Sequence, residues 1–312
     1  MSRNYNAGSR DMADAGRMIV NARSHNGYQT KRDLAERWKI FSKWAAHQGV
    51  KKMENVTREL VIEYGQYQQR LIDAGERQGA STAKNYVSAV NSVMQLATKG
   101  QWQSVYPGRD CGIQKRRYLP TENKAMSETR HRNAQQELGE RIASMLELQR
   151  NFGLRFKESA LLNAAGALKE ANLRGYITVK AGTKGGRVRK VACRLGGIAA
   201  LEKAAAVQDG RSMIPETMSY IEFRRACYAQ AHTSSVRFHS ERHHYAQERY
   251  QEITGAPAPI AAGWGRKQRI QCLAEHLQLT EEDTVKIDSA ARLRISKELG
   301  HGRMEVANAY LG

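Results

Sequence analysis

The sequence predicts a mainly α-helical protein with a small β-sheet, built as two domains. Three observations carry that expectation. Apolar residues recur at helical spacing through most of the chain. One pair of β-prone runs stands out, Gly175-Tyr176-Ile177-Thr178-Val179 and Gly186 to Ala192. Gly182-Thr183-Lys184-Gly185-Gly186 joins them as a hairpin with Lys184 at its tip. A basic stretch with Pro107, Gly108, Gly112 and Pro120 separates two helical regions, and 312 residues can bury more than one core.

In chain order, residues 1–28 read as a loosely structured arm rich in Ser, Asn, Gly and Arg. The first domain is expected over 29–105. Its first helix starts near Lys31, with Leu34, Trp38, Phe41 and Ala45 on one face, and closes at Gly49. A second helix runs from about Thr57 to Asp73, with Leu60, Tyr64, Tyr67 and Leu71 on one face. After a Gly-rich turn, Ser81 reads as the N-cap of a third helix, with Tyr86, Val87, Val90, Met94 and Ala97 inward. Its other face carries Lys84, Asn85, Ser88, Asn91 and Ser92, short polar groups suited to phosphates or base edges and equally suited to a solvated face. Residues 106–124 read as a basic linker, with Lys115, Arg116 and Arg117 as candidate DNA contacts. The second domain is expected over 125–312 and opens with one helix over about 134–150.

The formal charge is +19, from 50 basic and 31 acidic residues. Residues 1–120 contribute +10 and the remaining 192 contribute +9. Basicity spread over two folded halves suits a protein lying along a long polyanion better than a single basic tail would. No run of eighteen apolar residues is present, so no membrane span is expected, and Met1 to Asn26 has no signal-peptide core. Cys111, Cys193, Cys227 and Cys272 are widely spaced and form no CxxC pair, which fits a reducing cytoplasm.

Four stretches of the second half hold chemistry-bearing side chains. Gly153-Leu154-Arg155-Phe156-Lys157-Glu158 opens a helix, with Glu158 three residues beyond Arg155 and able to hold its guanidinium. The hairpin offers Lys184 in a run from Lys180 to Arg194 that holds six basic residues, Arg187 among them, and no acid. His239-Ser240-Glu241-Arg242-His243-His244-Tyr245 opens another helix, with His239 and Arg242 on one face. His239 and His243 also have metal-ligand spacing, but no acidic partner or third ligand accompanies them, so no metal is expected. The last stretch, Leu299-Gly300-His301 to Tyr310, reads as a helix end, a Gly-bracketed turn and a short helix.

Together these residues suit a phosphodiester substrate. Two guanidiniums can clamp the non-bridging oxygens, whose charge grows in the transition state. A Tyr hydroxyl is a weak nucleophile near its free pKa of about 10, so it needs a base and a cationic surround. A Lys on a hairpin can protonate the leaving alkoxide. Arg155, Lys184, His239, Arg242, His301 and Tyr310 supply these parts without a metal or other cofactor.

The chain resembles the tyrosine recombinases, the phage-type integrases. Gly-Leu-Arg-x-x-Glu (153–158) looks like the first arginine box of that family. Thr-Lys-Gly-Gly (183–186) looks like its hairpin lysine, His-x-x-Arg-His (239–243) its second box, and Leu-Gly-His (299–301) with Tyr310 nine residues on its last. The resemblance covers about 125–312 by motif and 30–105 more loosely, as a helical core-binding domain followed by an α+β catalytic domain. It implies that Tyr310 attacks the scissile phosphate to give a 3′-phosphotyrosyl link. Arg155, Arg242 and His301 would hold the phosphoryl oxygens, Lys184 would act as general acid and His239 as acid/base, with Glu158 and His243 as supports. It implies double-stranded DNA as partner, a homotetramer on two DNA sites, DNA-bending or directionality factors as further partners, and a place in the cytoplasm with the bacterial nucleoid.

Two features depart from the family pattern. Between Arg242 and His301 lie 58 residues, more than the family leads one to expect, and the sequence stops two residues after Tyr310, without the tail many relatives dock on a neighbour. The segment 253–292, with Ile270, Leu273, Leu277 and Leu279 near helical spacing, is therefore a candidate subunit contact, with packing inside its own domain as the alternative. Two other functions share these features: a type IB topoisomerase-like enzyme, and a catalytically idle DNA-binding accessory protein of the same fold.

Overall fold

A computed structural model describes residues 3–76, 79–114, 120 and 122–312. The chain divides into two compact units, Met1–Arg117 and Tyr118–Gly312.

The first unit is built on helices α1 (Met12–Arg23), α2 (Tyr28–His47), α3 (Arg58–Asp73) and α4 (Gly79–Ala97). Both α1 and α2 pack on α4, as does α3. The supposed N-terminal arm thus contains a core helix. Its stripe of Met12, Ala15, Gly16, Ile19 and Val20 is buried, and the Asn, Asp and Arg residues between them conceal the helical period. Asp11 caps α1 by accepting from the Asp14 amide at 2.8 Å. Trp38 of α2 donates its Nε1–H to the Met12 carbonyl at 2.8 Å. Gly16 permits this close approach, since a Cβ there would lie 2.0 Å from Trp38 Nε1. Thr57 caps α3, as its side chain accepts from Leu60 N. Helix α4 already runs from Gly79, so Ser81 sits inside its first turn instead of capping it.

The start of the expected linker belongs to this unit as well. Its Cys111 and Ile113 are buried in the core beside Val105, the last residue expected in the first domain. Asn91 clasps the segment: its carboxamide donates to Val105 O at 2.8 Å and accepts from Val105 N at 2.9 Å and Trp102 Nε1 at 3.0 Å. Asp110 pairs with Arg58 at 2.5 Å.

In the second unit the single helix expected over 134–150 is two, α5 (Glu128–Glu137) and α6 (Glu140–Phe152), broken at Leu138-Gly139. Ser127 caps α5 through the Arg130 amide, which restarts the chain geometry earlier than the apolar pattern suggests. Helices α7 (Phe156–Ala160) and α8 (Ala164–Arg174) lead into the hairpin, β1 (Tyr176–Val179) and β2 (Arg189–Ala192). The strands are antiparallel, with Tyr176 opposite Ala192 and Val179 opposite Arg189. Then follow α9 (Gly197–Val207), α10 (Tyr220–Thr233), α11 (His239–Thr254), α12 (Pro259–Ala262), α13 (Arg269–Leu277), α14 (Glu281–Glu298) and α15 (Asn308–Leu311). Helix α6 contacts both α9 and α11, and α11 in turn meets α14 and α15. The segment 253–292 packs inside its own unit. Leu273 is fully buried, Leu277 lies against the core, α13 rests on α14 and α12 on α15. Among the described residues no helix is long and apolar enough to cross a membrane.

The Gly16–Trp38 approach generates a test of the first unit. Gly16→Ala adds a methyl that improves helix propensity but collides with the indole. Overpacking of this kind costs about 1–3 kcal/mol, so the variant is expected to unfold at lower urea concentration than the parent. An unchanged or raised midpoint would show that the two helices separate without cost.

Candidate active site

The first arginine box is shaped by a backbone turn. Gly153 ends α6 in the left-handed region at φ +60°, where a Cβ would lie 2.6 Å from the Tyr245 ring. Arg155 then caps α7. Glu158 accepts from the Arg155 amide at 2.8 Å and from Arg155 Nη1 at 2.7 Å, as its spacing suggested. The same carboxylate also holds a residue the sequence reading passed over. Arg189 of β2 donates to its two oxygens at 2.9 and 2.7 Å, and its Nε donates to Glu298 O at 2.7 Å. Glu158 therefore joins α7, the hairpin and the end of α14. The signal was present: Arg189 shares strand parity with buried Val191, and so points inward.

The second and last boxes meet around Arg242, which is fully buried on α11. Its Nε donates to the Tyr310 hydroxyl at 3.2 Å. Nη1 donates to Gly153 O, and Nη2 to Leu299 O. His301 Nε2 lies 3.2 Å from Arg242 Nη2 and 3.4 Å from Arg155 Nη2. Guanidinium nitrogens only donate, so Nε2 accepts and the ring carries its proton on Nδ1. Tyr310 rests among three imidazoles, its ring centroid 4.8 Å from that of His243, 5.8 Å from His239 and 6.3 Å from His301. Arg155, His239, Arg242, His301 and Tyr310 thus line one site, with Glu158 and His243 against it. Tyr310 and Arg242 are buried, whereas Arg155 and His301 are half-buried.

Lys184 is not drawn into this cluster. It sits on the exposed hairpin tip with no ion pair among the described residues. Arg187 is exposed on the same hairpin. The candidate DNA contacts on α4 differ in availability. Ser88 is exposed, and Lys84 and Asn85 are half-buried. Asn91 is corrected, because both ends of its amide are engaged with residues 102–105. Lys115, Arg116 and Arg117 lie outside the described residues. Among those described, no group of three His, Cys, Asp or Glu residues is arranged to hold a metal ion.

The site is strongly electropositive. Burial, reinforced by Arg242 and Arg155, pushes His239 and His301 down to about 4, and Lys184 adds to the field on His301. Burial and neighbouring His239 lower His243 to about 4. All three are neutral at pH 7 and able to accept protons. Burial lowers Arg242 to about 10, which leaves it charged.

Behind α11 lies a second buried network that sequence reading missed. Glu241 accepts from Arg150 Nη1 at 2.7 Å and pairs with His131 Nδ1 at 2.6 Å. Arg150 Nη2 also reaches Glu128 at 2.7 Å. Burial would lower His131, but its bonds to Glu147 and Glu241 outweigh that and raise it to about 9. Glu241 lies between His239 and Arg242 in sequence, so this network sets the rotation of the helix that carries them.

These shifts give stability a pH dependence of known sign. His239, His243, His244 and His301 titrate near 6.5 when unfolded and about 4 when folded, so the unfolded chain binds more protons between those values. Their contribution is present above pH 6.5 and is lost as pH falls toward 4. His131 acts oppositely: its contribution is full below 6.5 and is lost as pH rises toward 9. Urea midpoints are expected to peak near neutrality, with a shallower acid limb in His244→Gln, whose imidazole lies outside the site. Parallel acid limbs in parent and variant would contradict the assignment for His244.

Comparison with known proteins adds to this geometry. Residues 120–248 match the family model described as Integrase. Among curated proteins, none matches the sequence. Among solved structures, the fold is similar to that of lambda integrase, in a dimer bound to a COC′ core site, at TM-score 0.58 and 14% identity over 96% of this chain and 76% of that one. It is similar to the Tn1549 transposon integrase, in complex with a circular intermediate DNA, at TM-score 0.59 and 10% identity over 97% and 95%. A lambda integrase tetramer bound to a Holliday junction aligns at TM-score 0.53 and 15% identity over 77% and 72%. Residues 120–248 thus carry the integrase match, and the chain shares the fold of the lambda and Tn1549 integrases.

Proposed function

We propose that the protein is a site-specific DNA recombinase that cuts and rejoins strands through a 3′-phosphotyrosyl intermediate, integrating or excising a mobile element. The observation that carries this reading is the Tyr310 hydroxyl held 3.2 Å from the Nε of a buried arginine, in a pocket shared with Arg155, His301 and His239. A packing tyrosine needs no such surround. The assembled pocket supports an enzyme over an idle accessory protein of the same fold.

On this reading a scissile phosphate enters beside the half-buried Arg155 and His301. Its non-bridging oxygens replace Tyr310 as the partner of Arg242 Nε, and Arg155 takes a second oxygen. The freed phenolic oxygen attacks phosphorus in line with the 5′-oxygen. A phosphorus–Tyr310 bond forms as the phosphorus–5′-oxygen bond breaks. Neutral His239 accepts the phenolic proton, and Lys184 gives a proton to the departing 5′-oxygen once the hairpin closes over the DNA. A 5′-hydroxyl from another strand then reverses the steps, returning a proton to Lys184 and one to Tyr310. The bond energy stays in the phosphotyrosine, so neither ATP nor a metal is consumed.

Duplex DNA is the partner that the +19 charge favours. In the first unit, exposed Ser88 with Lys84 and Asn85 supplies polar groups on α4, and Arg187 supplies a cation on the hairpin. Strand exchange between two sites calls for four protomers in a ring, and one of the similar structures is a tetramer on a Holliday junction. The reading places the protein with the nucleoid in the cytoplasm, where DNA-bending or directionality factors would act with it.

Two experiments test the chemistry, using nicked suicide duplexes that span the element's own ends. Tyr310→Phe is expected to retain DNA binding and lose the covalent adduct, while Arg155→Ala slows cleavage about a hundredfold and weakens binding far less. Adduct formation by the Phe variant would remove Tyr310 as nucleophile. Lys184→Ala is expected to recover cleavage on a duplex with sulfur in place of the 5′-leaving oxygen, because a thiolate leaves without protonation. Equal defects on the oxygen and sulfur substrates would make Lys184 an ordinary phosphate contact.

A further inference from the structure

Helix α15, which carries Tyr310, is a single turn of four residues. A helix that short has no stability of its own, so its position is set by what grips it. The grip comes from the segment of 58 residues between Arg242 and His301. Arg292 of α14 is almost completely buried. Its Nε donates to both Asp288 carboxylate oxygens at 2.8 Å, which orients the guanidinium. Its Nη1 donates to Asn308 Oδ1 at 2.9 Å and to Gly312 O at 2.8 Å. These two acceptors stand two residues before and two residues after Tyr310.

Other groups reinforce the bracket. Asp288 accepts from the Tyr250 hydroxyl of α11 at 2.7 Å. Arg269 of α13 donates to Gly312 O at 3.3 Å and lies 3.8 Å from Asp288. Gln247 Nε2 donates to the Tyr310 carbonyl at 3.2 Å, and Leu311 is buried. None of these contacts holds the Tyr310 side chain itself. Among the described residues its hydroxyl bonds only to the Arg242 Nε described above.

We propose that Arg292, aligned by Asp288, is a positioning residue for the reaction: it locks the backbone of α15 onto its own protomer and leaves the Tyr310 ring free to move from Arg242 to phosphorus. The segment between Arg242 and His301 is thus a clamp on α15. The inference rests on Tyr310 being that nucleophile. Arg292 and Asp288 touch neither substrate nor reacting atoms, and act through α15.

The test uses Asn308→Ala, which removes one half-buried acceptor and leaves the buried Asp288–Arg292 pair intact, so the chain should fold. Hydrogen exchange of the free protein is expected to speed up about tenfold at residues 306–312 and to stay unchanged in α6 and α11. At saturating suicide duplex, adduct formation should slow about tenfold with DNA affinity unchanged. Asn308→Asp restores a stronger acceptor for Arg292 and should return both readouts to the parent level. Arg292→Lys keeps the charge but lacks the fork that reaches Asp288 and Asn308 together, and should behave like Asn308→Ala. Unchanged exchange at 306–312 in Asn308→Ala, or failure of Asn308→Asp to restore it, overturns the lock. Exchange raised uniformly through the second unit overturns positioning in favour of general stability. Parent protein that forms no adduct overturns Tyr310 as nucleophile and the positioning role with it, while the exchange pattern still reports whether the clamp exists.

Discussion

Arg242 is the point on which the second unit converges. A guanidinium with no solvent exposure is costly unless its donors find acceptors, and here they find the carbonyls of Gly153 and Leu299, the His301 ring and the Tyr310 hydroxyl. Those acceptors lie at the end of α6, the end of α14 and on α15. One buried cation therefore fixes the relative placement of three helix termini, and the functional side chains sit on those termini. The left-handed turn at Gly153 is part of the same constraint, since it aims a carbonyl at Arg242 where α6 would otherwise continue.

Two further networks hold the pieces at the correct angle. Glu158 takes Arg155 and Arg189 on one carboxylate, so Arg155 is braced by the hairpin that also carries Lys184. Glu241 takes Arg150 and protonated His131 behind α11. In both cases a buried carboxylate is matched by cations on two sides, which makes the arrangement sensitive to the loss of any member. Positive charge is thereby concentrated in the site without mutual repulsion disrupting the fold. The three imidazoles beside Tyr310 respond by staying neutral.

The long stretch before His301 changes how the end of the chain is understood. As a sequence it looked like material for contact with a neighbour. In three dimensions Leu273 enters the core and α12 packs on α15. A one-turn helix bearing the tyrosine acquires a rigid setting from helices that follow α11. The apolar spacing was read correctly as a helical face; its target was not visible, because a buried face looks the same whether it meets its own unit or another copy.

Much of the site was legible in the order of residues. Gly153 to Glu158, the His239–Arg242 pair and the His301–Tyr310 spacing are local patterns, and helical period alone puts Arg155 near Glu158 and His239 beside Arg242. The helices α2, α3 and α4 followed from apolar repeats, and the hairpin from its Gly-rich turn. Helix α1 was obscured by polar neighbours, and the break between α5 and α6 by an apolar pattern that runs through it. What only tertiary structure decided is the choice of partners for buried charges. Arg189 meets Glu158 across 31 residues, Arg150 meets Glu241 across 91, and Arg292 meets Asn308 across 16. No periodicity encodes such pairings. Hydrophobic spacing tells a side chain which way to face, whereas a charge removed from water must find its counterion wherever packing of the whole unit brings one within reach.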